Sequence, residues 1–388
     1  MSDGEPHDPH SETASSRTGE TLAELGEWEL INRLAPFAPE GQFADDAALL
    51  GSGNDGGTLV VNTDVLVEGI HFSEATTKPA DVGWRAAAAN LSDLAAMGCT
   101  EVVGLTVGLV APADTRWSWV EEVYQGLTKA LRHYGGVLLG GDCSGGSQRL
   151  LAVTALGRLP NGRGGPIRRR DGRPGDLLVC TGPHGLSRLG LAVLRGERTG
   201  VAPGAQGATP VCHGLDPDAE PAAWTDIAAA LPGQALSRIL PPELIRRAIH
   251  CHRRPVPRFD AVRALDGCRP ASALWRIGGC DSSDGLAAAV AAIAAASGCS
   301  ALLDRNALPI DPAMADLTEA LPWCLGGGED FELVLALEPD WATALLKAQP
   351  GAGVIGRLEA GPAGRLGWSD GRDWPEDAGG STGFRHFG

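Results

Sequence analysis

At 388 residues the chain is longer than one ordinary domain, and with 43% hydrophobic and 21% charged residues it can bury a sizeable core, which excludes a disordered chain. A net charge of −16 argues against a free-standing nucleic-acid binder, which needs a basic face, but allows anionic substrates if cations bridge them. Lys78, Lys129 and Lys347 are the only lysines, and none lies in a GxxxxGK(S/T) or VAIK context, which argues against a P-loop NTPase and a protein kinase.

Residues 1–25 are mostly polar and acidic, without a basic start or an apolar stretch, and are predicted to be a disordered tail. The nine cysteines are scattered from Cys99 onward without a CxxC pair, which predicts reduced thiols in a cytoplasmic protein. A helix is expected over 26–34, a β-branched strand over 58–67, and an Ala-rich helix over 80–97 stopped by Gly98. A strand at 102–110 and an amphipathic helix at 117–134 follow. Residues 137–139 read as a short buried strand running into Gly140-Gly141-Asp142, and 150–159 as another strand.

Residues 161–175, rich in Gly, Pro and Arg, read as a linker between an N-terminal domain (26–160) and a C-terminal one (176–388). The second domain begins with a strand at 176–180 and a helix at 186–194. Residues 197–234 look like an insertion or long loop, and a helix is expected near 243–249. The uncharged stretch 285–303 is mostly Ala and broken by Ser297-Gly298, so it reads as a buried helix followed by a strand rather than a membrane span. Strands at 331–337 and 353–358, with a helix between them, complete the chain. Helices and strands alternate in both halves, and the pattern leaves open whether the sheets are parallel or mixed.

Carboxylates recur beside apolar strands or inside helices. Asp45-Asp46 precedes Ala47, Asp64 follows Val60 to Thr63, Asp93 sits in an Ala/Leu-rich helix, Asp142 follows Gly140-Gly141, and Asp281 and Asp284 bracket Ser282-Ser283. Each alone fits a helix cap, a turn or a solvated position. As a set, such carboxylates would repel one another unless cations lie between them, and hard oxygen ligands select Mg²⁺ or Mn²⁺ over Zn²⁺. The glycines at 140–141 and 326–328 allow close backbone approach to a phosphate, or simply a tight turn. Arg168 to Arg170 could clamp phosphates or be a solvated basic linker. On pattern alone, His71 fits a packed histidine better than a ligand.

Taken together these segments resemble the thiamine-monophosphate kinase family of the aminoimidazole ribonucleotide synthetase-like superfamily. The resemblance rests on residues 26–28, 45–50, 63–72, 90–98, 140–142, 173–176, 181–182, 254–258, 281–286, 327–333 and 383–387. The most specific pieces are Asn90-Leu91-Ser92-Asp93-Leu94-Ala95-Ala96-Met97-Gly98 and Gly327-Gly328-Glu329-Asp330-Phe331-Glu332-Leu333. It implies a two-domain α+β fold whose N-terminal domains pair into a barrel across a homodimer. It also implies ATP-dependent phosphorylation of thiamine monophosphate to thiamine diphosphate, the last step of that cofactor's biosynthesis. By match, several Mg²⁺ ions would be held by Asp46, Asp64, Asp93, Asp142, Asp281 and Asp284, assisted by oxygens of Asn62 and Thr63. Gly141, Asp142, Arg169 and Ser283 would contact ATP, and His71, Glu329 and Phe384 the thiamine substrate.

Cys143-Ser144-Gly145 stands where the family commonly has Thr-Thr-Arg, and Ala289, Leu186 and Ala44 are further departures, which bear on nucleotide contacts. The acceptor is a phosphate already anionic at neutral pH, so the expected mechanism is direct in-line transfer organised by metal and positioning, with no further catalytic residue. Two alternatives remain: another ATP-dependent enzyme of the superfamily, or a catalytically silent nucleotide- or thiamine-binding protein. No membrane or nucleic-acid partner is expected.

Overall fold

A computed structural model describes residues 21–51, 57–197 and 240–375. Phe384, and the expected insertion apart from Glu197, lie outside the described residues. Contacts divide the chain into two compact units, one of residues 1–43 with 385–388 and one of Ala44–Phe384. The described part of the first holds α1 (Leu22–Leu25) and α2 (Glu27–Leu34). Helix therefore begins inside the segment expected as a tail. Thr21 and Glu24 form a capping box, with the Thr21 N–H donating to Glu24 Oε2 at 2.7 Å and the Glu24 N–H donating to Thr21 Oγ1 at 3.3 Å.

The second unit carries two sheets. The first contains β1 (Ala48–Leu50), β2 (Leu59–Val67), β3 (Glu101–Ala111), β4 (Val137–Gly145) and β5 (Leu150–Arg158), in the order β1-β2-β5-β3-β4. Only the β3–β4 pair is parallel. Helix α3 (Pro79–Ala96) lies on this sheet, and α4 (Trp117–Tyr134) lies on α3. The two helices approach closely where Gly83 and Gly126 meet. A Cβ on Gly83 would come within 1.9 Å of the Val123 carbonyl, and one on Gly126 within 1.9 Å of the Ala80 carbonyl. The small residues Ala86, Ala87 and Ala88 are fully buried, so α3 is covered on nearly all sides.

The second sheet contains β6 (Leu177–Cys180), β7 (Gly278–Asp281), β8 (Ser300–Leu303), β9 (Leu333–Leu337), β10 (Gly353–Glu359) and β11 (Leu366–Trp368), ordered β11-β8-β10-β6-β9-β7. All of its pairs are antiparallel except β8–β11. Its helices are α5 (Leu186–Arg195), α6 (Pro242–Arg253), α7 (Phe259–Gly267), α8 (Leu286–Ala296), α9 (Ala320–Gly326) and α10 (Pro339–Ala348). Helix α3 also touches β7, so one helix links the two sheets. Both sheets are mixed and mostly antiparallel, the α+β outcome. The uncharged stretch is α8, a turn at Gly298 and β8, and no described helix is long and apolar enough to cross a membrane.

Strand β4 corrects one expectation. Val137-Leu138-Leu139 reads as a short buried strand, but the strand runs for nine residues and every one is exposed. It is the edge of the first sheet and, among the described strands, is hydrogen-bonded to β3 alone. Apolar composition predicts burial, and this chain by itself does not provide it.

Candidate functional site

Four of the expected carboxylates converge. Asp46 precedes β1, Asp64 lies on β2, Asp93 on α3, and Asp281 ends β7. Alternation along β2 sends Val60, Asn62, Asp64 and Leu66 to one face, with Val60, Asn62 and Leu66 buried and Asp64 partly so, and Asn62 and Asp64 are the polar members of that row. The Asn62 amide nitrogen donates to Asp93 Oδ2 at 2.7 Å and to Asn90 Oδ1 at 3.2 Å. Asn90 Oδ1 also accepts from the Asp64 N–H at 3.1 Å, tying α3 to β2. The Ser92 hydroxyl donates to Asp281 at 2.5 Å. Asp46 accepts from the Asp281 N–H and is paired with the Arg169 guanidinium, and Asp45 accepts from the Arg169 N–H at 2.9 Å.

The electrostatics follow from this crowding. Burial, and then the charges of Asp64, Asp281 and Asp46, hold the Asp93 carboxyl well above its ordinary range. Burial and the neighbouring Asp46 push Asp281 up to about 8. Burial raises Asp46 as well, against the pull of Arg169. Among the described residues, no group of three or more His, Cys, Asp and Glu side chains stands close enough together to hold a metal ion as placed. The donor set still fits a hard cation. It is all oxygen, it carries more negative charge than its one guanidinium offsets, and the buried Asn62 Oδ1 accepts no hydrogen bond among the described residues.

Other expected ligands lie elsewhere. Thr63 faces the opposite side of β2, where its hydroxyl meets that of Thr154 at 2.8 Å, so only its main chain remains near the carboxylates. Asp142 and Gly141 lie on exposed β4, three strands from β2, roughly 14 Å away by strand spacing. Ser283 and Asp284 are exposed in the turn between β7 and α8, and the Ser283 carbonyl accepts from the Glu329 N–H at 2.7 Å. Arg169, expected at ATP, is held by Asp46.

Two of the expected acceptor-substrate residues, His71 and Glu329, come together around a residue that sequence reasoning missed. Arg85 on α3 is buried, and its guanidinium donates to the Glu329 carboxylate at 2.5 Å, to the His71 carbonyl at 3.3 Å and to the His252 carbonyl. The signal was present: Arg85 is the one charged residue in the apolar run 82–91. His71 Nδ1 accepts from the Val67 N–H at 3.0 Å. His252 Nδ1 lies 3.5 Å from Glu329 Oε2, and burial followed by the Arg85 charge holds this imidazole well below its ordinary range, hence neutral.

The loop after α9 is strained and tightly pinned. Glu329 and Phe331 have φ of 58° and 52°, a left-handed conformation that costs non-glycine residues energy. The Asp330 carboxylate accepts from the N–H groups of Gly185 and Ser187 at 2.7 and 3.1 Å, and burial raises it to about 7. Glu332 is paired with Arg258 and accepts from the Thr181 hydroxyl at 2.5 Å, while its N–H donates to Ser282 Oγ at 3.1 Å.

Residues 44–159 match the family model of the AIR synthase related protein, N-terminal domain, and residues 258–369 that of the C-terminal domain. The chain is 42% identical to a thiamine-monophosphate kinase of Prochlorococcus marinus, over 95% of this chain and 98% of that one. It is 44% identical to one of Synechococcus elongatus at the same coverage. Among solved structures, AaThiL complexed with AMPPCP and TMP superposes with a TM-score of 0.71 at 25% identity, covering 95% of this chain and all of that one.

Proposed function

The chain belongs to the thiamine-monophosphate kinase family, and we infer that it transfers the γ-phosphoryl group of ATP to thiamine monophosphate, giving thiamine diphosphate and ADP. Identity of 42–44% along nearly the whole chain supports this reading, as does the neighbour solved with an ATP analogue and TMP. The observation in the fold that carries it is the convergence of Asp46, Asp64, Asp93 and Asp281 beside the unpartnered Asn62 Oδ1.

Asp46, Asp64, Asp93, Asp281 and Asp284, with Asn62 Oδ1 and the Thr63 main chain, would hold Mg²⁺. When bound, Mg²⁺ would supply the positive charge that lets two phosphate groups approach and that neutralises the group in transfer. An oxygen of the acceptor phosphate attacks the γ-phosphorus in line as the bond to the β-phosphate oxygen breaks. The acceptor needs no general base because it is already anionic. Arg169 would exchange Asp46 for a nucleotide phosphate, and Ser283 would bind the same nucleotide. His71, Glu329 and Phe384 would seat the thiamine moiety.

The active form in this reading is a homodimer in the cytoplasm. Exposed β4, together with Thr63 and the 42% exposed Val65 on the outer face of β2, would pair with its counterpart and complete a barrel. Gly141 and Asp142 would then reach nucleotide and metal in the assembly rather than in the single chain. The eight described cysteines are free thiols, as a reducing compartment would keep them.

Incubation with ATP, Mg²⁺ and thiamine monophosphate, followed by product analysis, is expected to yield thiamine diphosphate, and no product would refute the assignment. With γ-labelled ATP and no acceptor, no label should remain on the quenched protein. Stoichiometric label that chases into thiamine diphosphate would replace the direct route with a phosphoenzyme.

A further inference from the structure

The buried guanidinium of Arg85 joins three segments far apart in the sequence: the turn carrying His71, the end of α6 at His252, and the loop at Glu329. Its side chain is 4% exposed, while that of Glu329 is 33% exposed. The ion pair therefore has one end sealed in the protein and the other at the surface. Glu329 Oε1 is committed to Arg85, and among the described residues Oε2 meets the neutral His252 ring, at 3.5 Å. Around this contact the backbone of Glu329 is strained, and its N–H donates to the Ser283 carbonyl. The loop beyond it is pinned through the Asp330 carboxylate, which accepts from the Gly185 and Ser187 N–H groups, and through the Glu332 N–H, which donates to Ser282 Oγ. The Glu329 main-chain N–H is thus held by the Ser283 carbonyl and its side chain by one arginine.

This arrangement is costly for folding alone. Arg85 Nε is buried with no partner among the described residues, and a desolvated charge pair rarely adds net stability over apolar packing. A planar fork with five donors can serve three acceptors in fixed geometry, which a lysine ammonium cannot match.

We propose that Arg85 is a positioning residue for the acceptor substrate, holding the Glu329 carboxylate and the His71 turn in one arrangement so that both meet the thiamine moiety together. The proposal rests on the reading that His71 and Glu329 contact that moiety. Thiamine monophosphate carries a cationic thiazolium and an amino-bearing pyrimidine, and a carboxylate held with one free edge suits a cationic or N–H-donating group. Without the clamp, Glu329 would sample several rotamers, and binding would pay the cost of ordering it.

The experiment compares Arg85→Gln, Arg85→Lys, Glu329→Gln and the double variant Arg85→Gln/Glu329→Gln in the full chain, by steady-state kinetics against each substrate. Arg85→Gln is expected to raise KM for thiamine monophosphate about tenfold, as loss of one charge-assisted contact would. KM for ATP should stay within about twofold. Arg85→Lys should fall between parent and Arg85→Gln. The double variant should be no worse than the poorer single variant, because both changes remove one interaction. If Glu329→Gln leaves KM for thiamine monophosphate unchanged, the acceptor-site reading fails and this proposal with it. If Glu329→Gln raises that KM but the Arg85 variants do not, or raise KM for ATP equally, the positioning role alone is overturned. Additive effects in the double variant would also overturn it. Should Arg85→Gln fail to fold, Arg85→Lys carries the same test, and parent-like KM values for both substrates would reject the proposal.

Discussion

The carboxylate cluster and the loop after α9 are both rich in buried acids, and they resolve that burden in opposite ways. In the loop each acid is matched: Glu329 by Arg85, Asp330 by two amides, Glu332 by Arg258 and the Thr181 hydroxyl. In the cluster the one guanidinium pairs with Asp46, while Asp93 and Asp281 accept from the neutral Asn62 amide and Ser92 hydroxyl, and the carboxylates still repel one another. Matched charges define a shape without further help. Crowded like charges store repulsion that a bound cation would relieve, and such a region is tuned to a ligand at the expense of the bare fold.

Asp93→Asn should separate the two regions most sharply. Turnover is expected to fall by more than the roughly 10–100-fold that an outer-shell partner is worth. The melting temperature without metal should rise, because one repelling charge is gone. Near-normal activity at saturating Mg²⁺ would remove Asp93 from the ligand set, and unfolding would make it structural. Asp142→Asn should abolish turnover too, but its exposed site predicts no gain in metal-free stability.

The matched region should respond through stability. Arg258→Met leaves Glu332 buried without its main partner and is expected to cost about 3–5 kcal/mol in a denaturant titration. A loss under about 1 kcal/mol would show that the pair is not what fixes the loop. His184 gives a pH-dependent version. Its buried ring lies 2.8 Å from Ser282 Oγ and 3.4 Å from Cys180 Sγ, and burial lowers it to about 4, against about 6.5 when unfolded. Between those values the unfolded chain binds the extra proton, so the native state loses stability as pH falls from about 6.5 to about 4. His184→Gln should cost about 1–3 kcal/mol at pH 7, and the deficit should narrow on acidification. A deficit independent of pH would contradict a neutral buried imidazole.

Phe384→Ala should raise KM for thiamine monophosphate about three- to tenfold, the worth of one aromatic stack, and spare ATP. An unchanged value would leave Phe384 without a role at the substrate. The smallest effect is expected at Thr63→Val, which loses one exposed hydroxyl contact, under about 1 kcal/mol, with kcat retained. A large fall in kcat would return the Thr63 side chain to the metal ligands.

Much of this was legible in the chain itself. The helix expected at 117–134 is observed at Trp117–Tyr134, and the strand expected at 58–67 is β2, because amphipathic and β-branched runs have a clear period. Asp64 and Asp281 stood out as acids at the ends of apolar runs. What was hidden depends on partners distant in sequence. Arg169 is drawn to Asp46 across 123 residues, and Arg85 to Glu329 across 244, pairings that no local pattern encodes. Helix α7 and strand β11 were missed as short segments with weak periodicity. The fate of Asp142 could not be read either, since Gly140-Gly141-Asp142 says what the backbone permits and nothing of the β2-β5-β3-β4 order that separates it from Asp64.

Exposed β4 has a consequence for how much of the protein works at a given dilution. A strand with open hydrogen-bonding groups and bare Val137 and Leu139 is a sticky edge, and a cell tolerates it only when the edge meets its intended mate quickly. If that mate is another copy, and if Asp142 serves the catalytic centre only after pairing, then specific activity becomes a property of protein concentration through mass action. Newly made subunits would be inert and prone to clumping until they meet, so assembly itself would act as the switch that turns the kinase on.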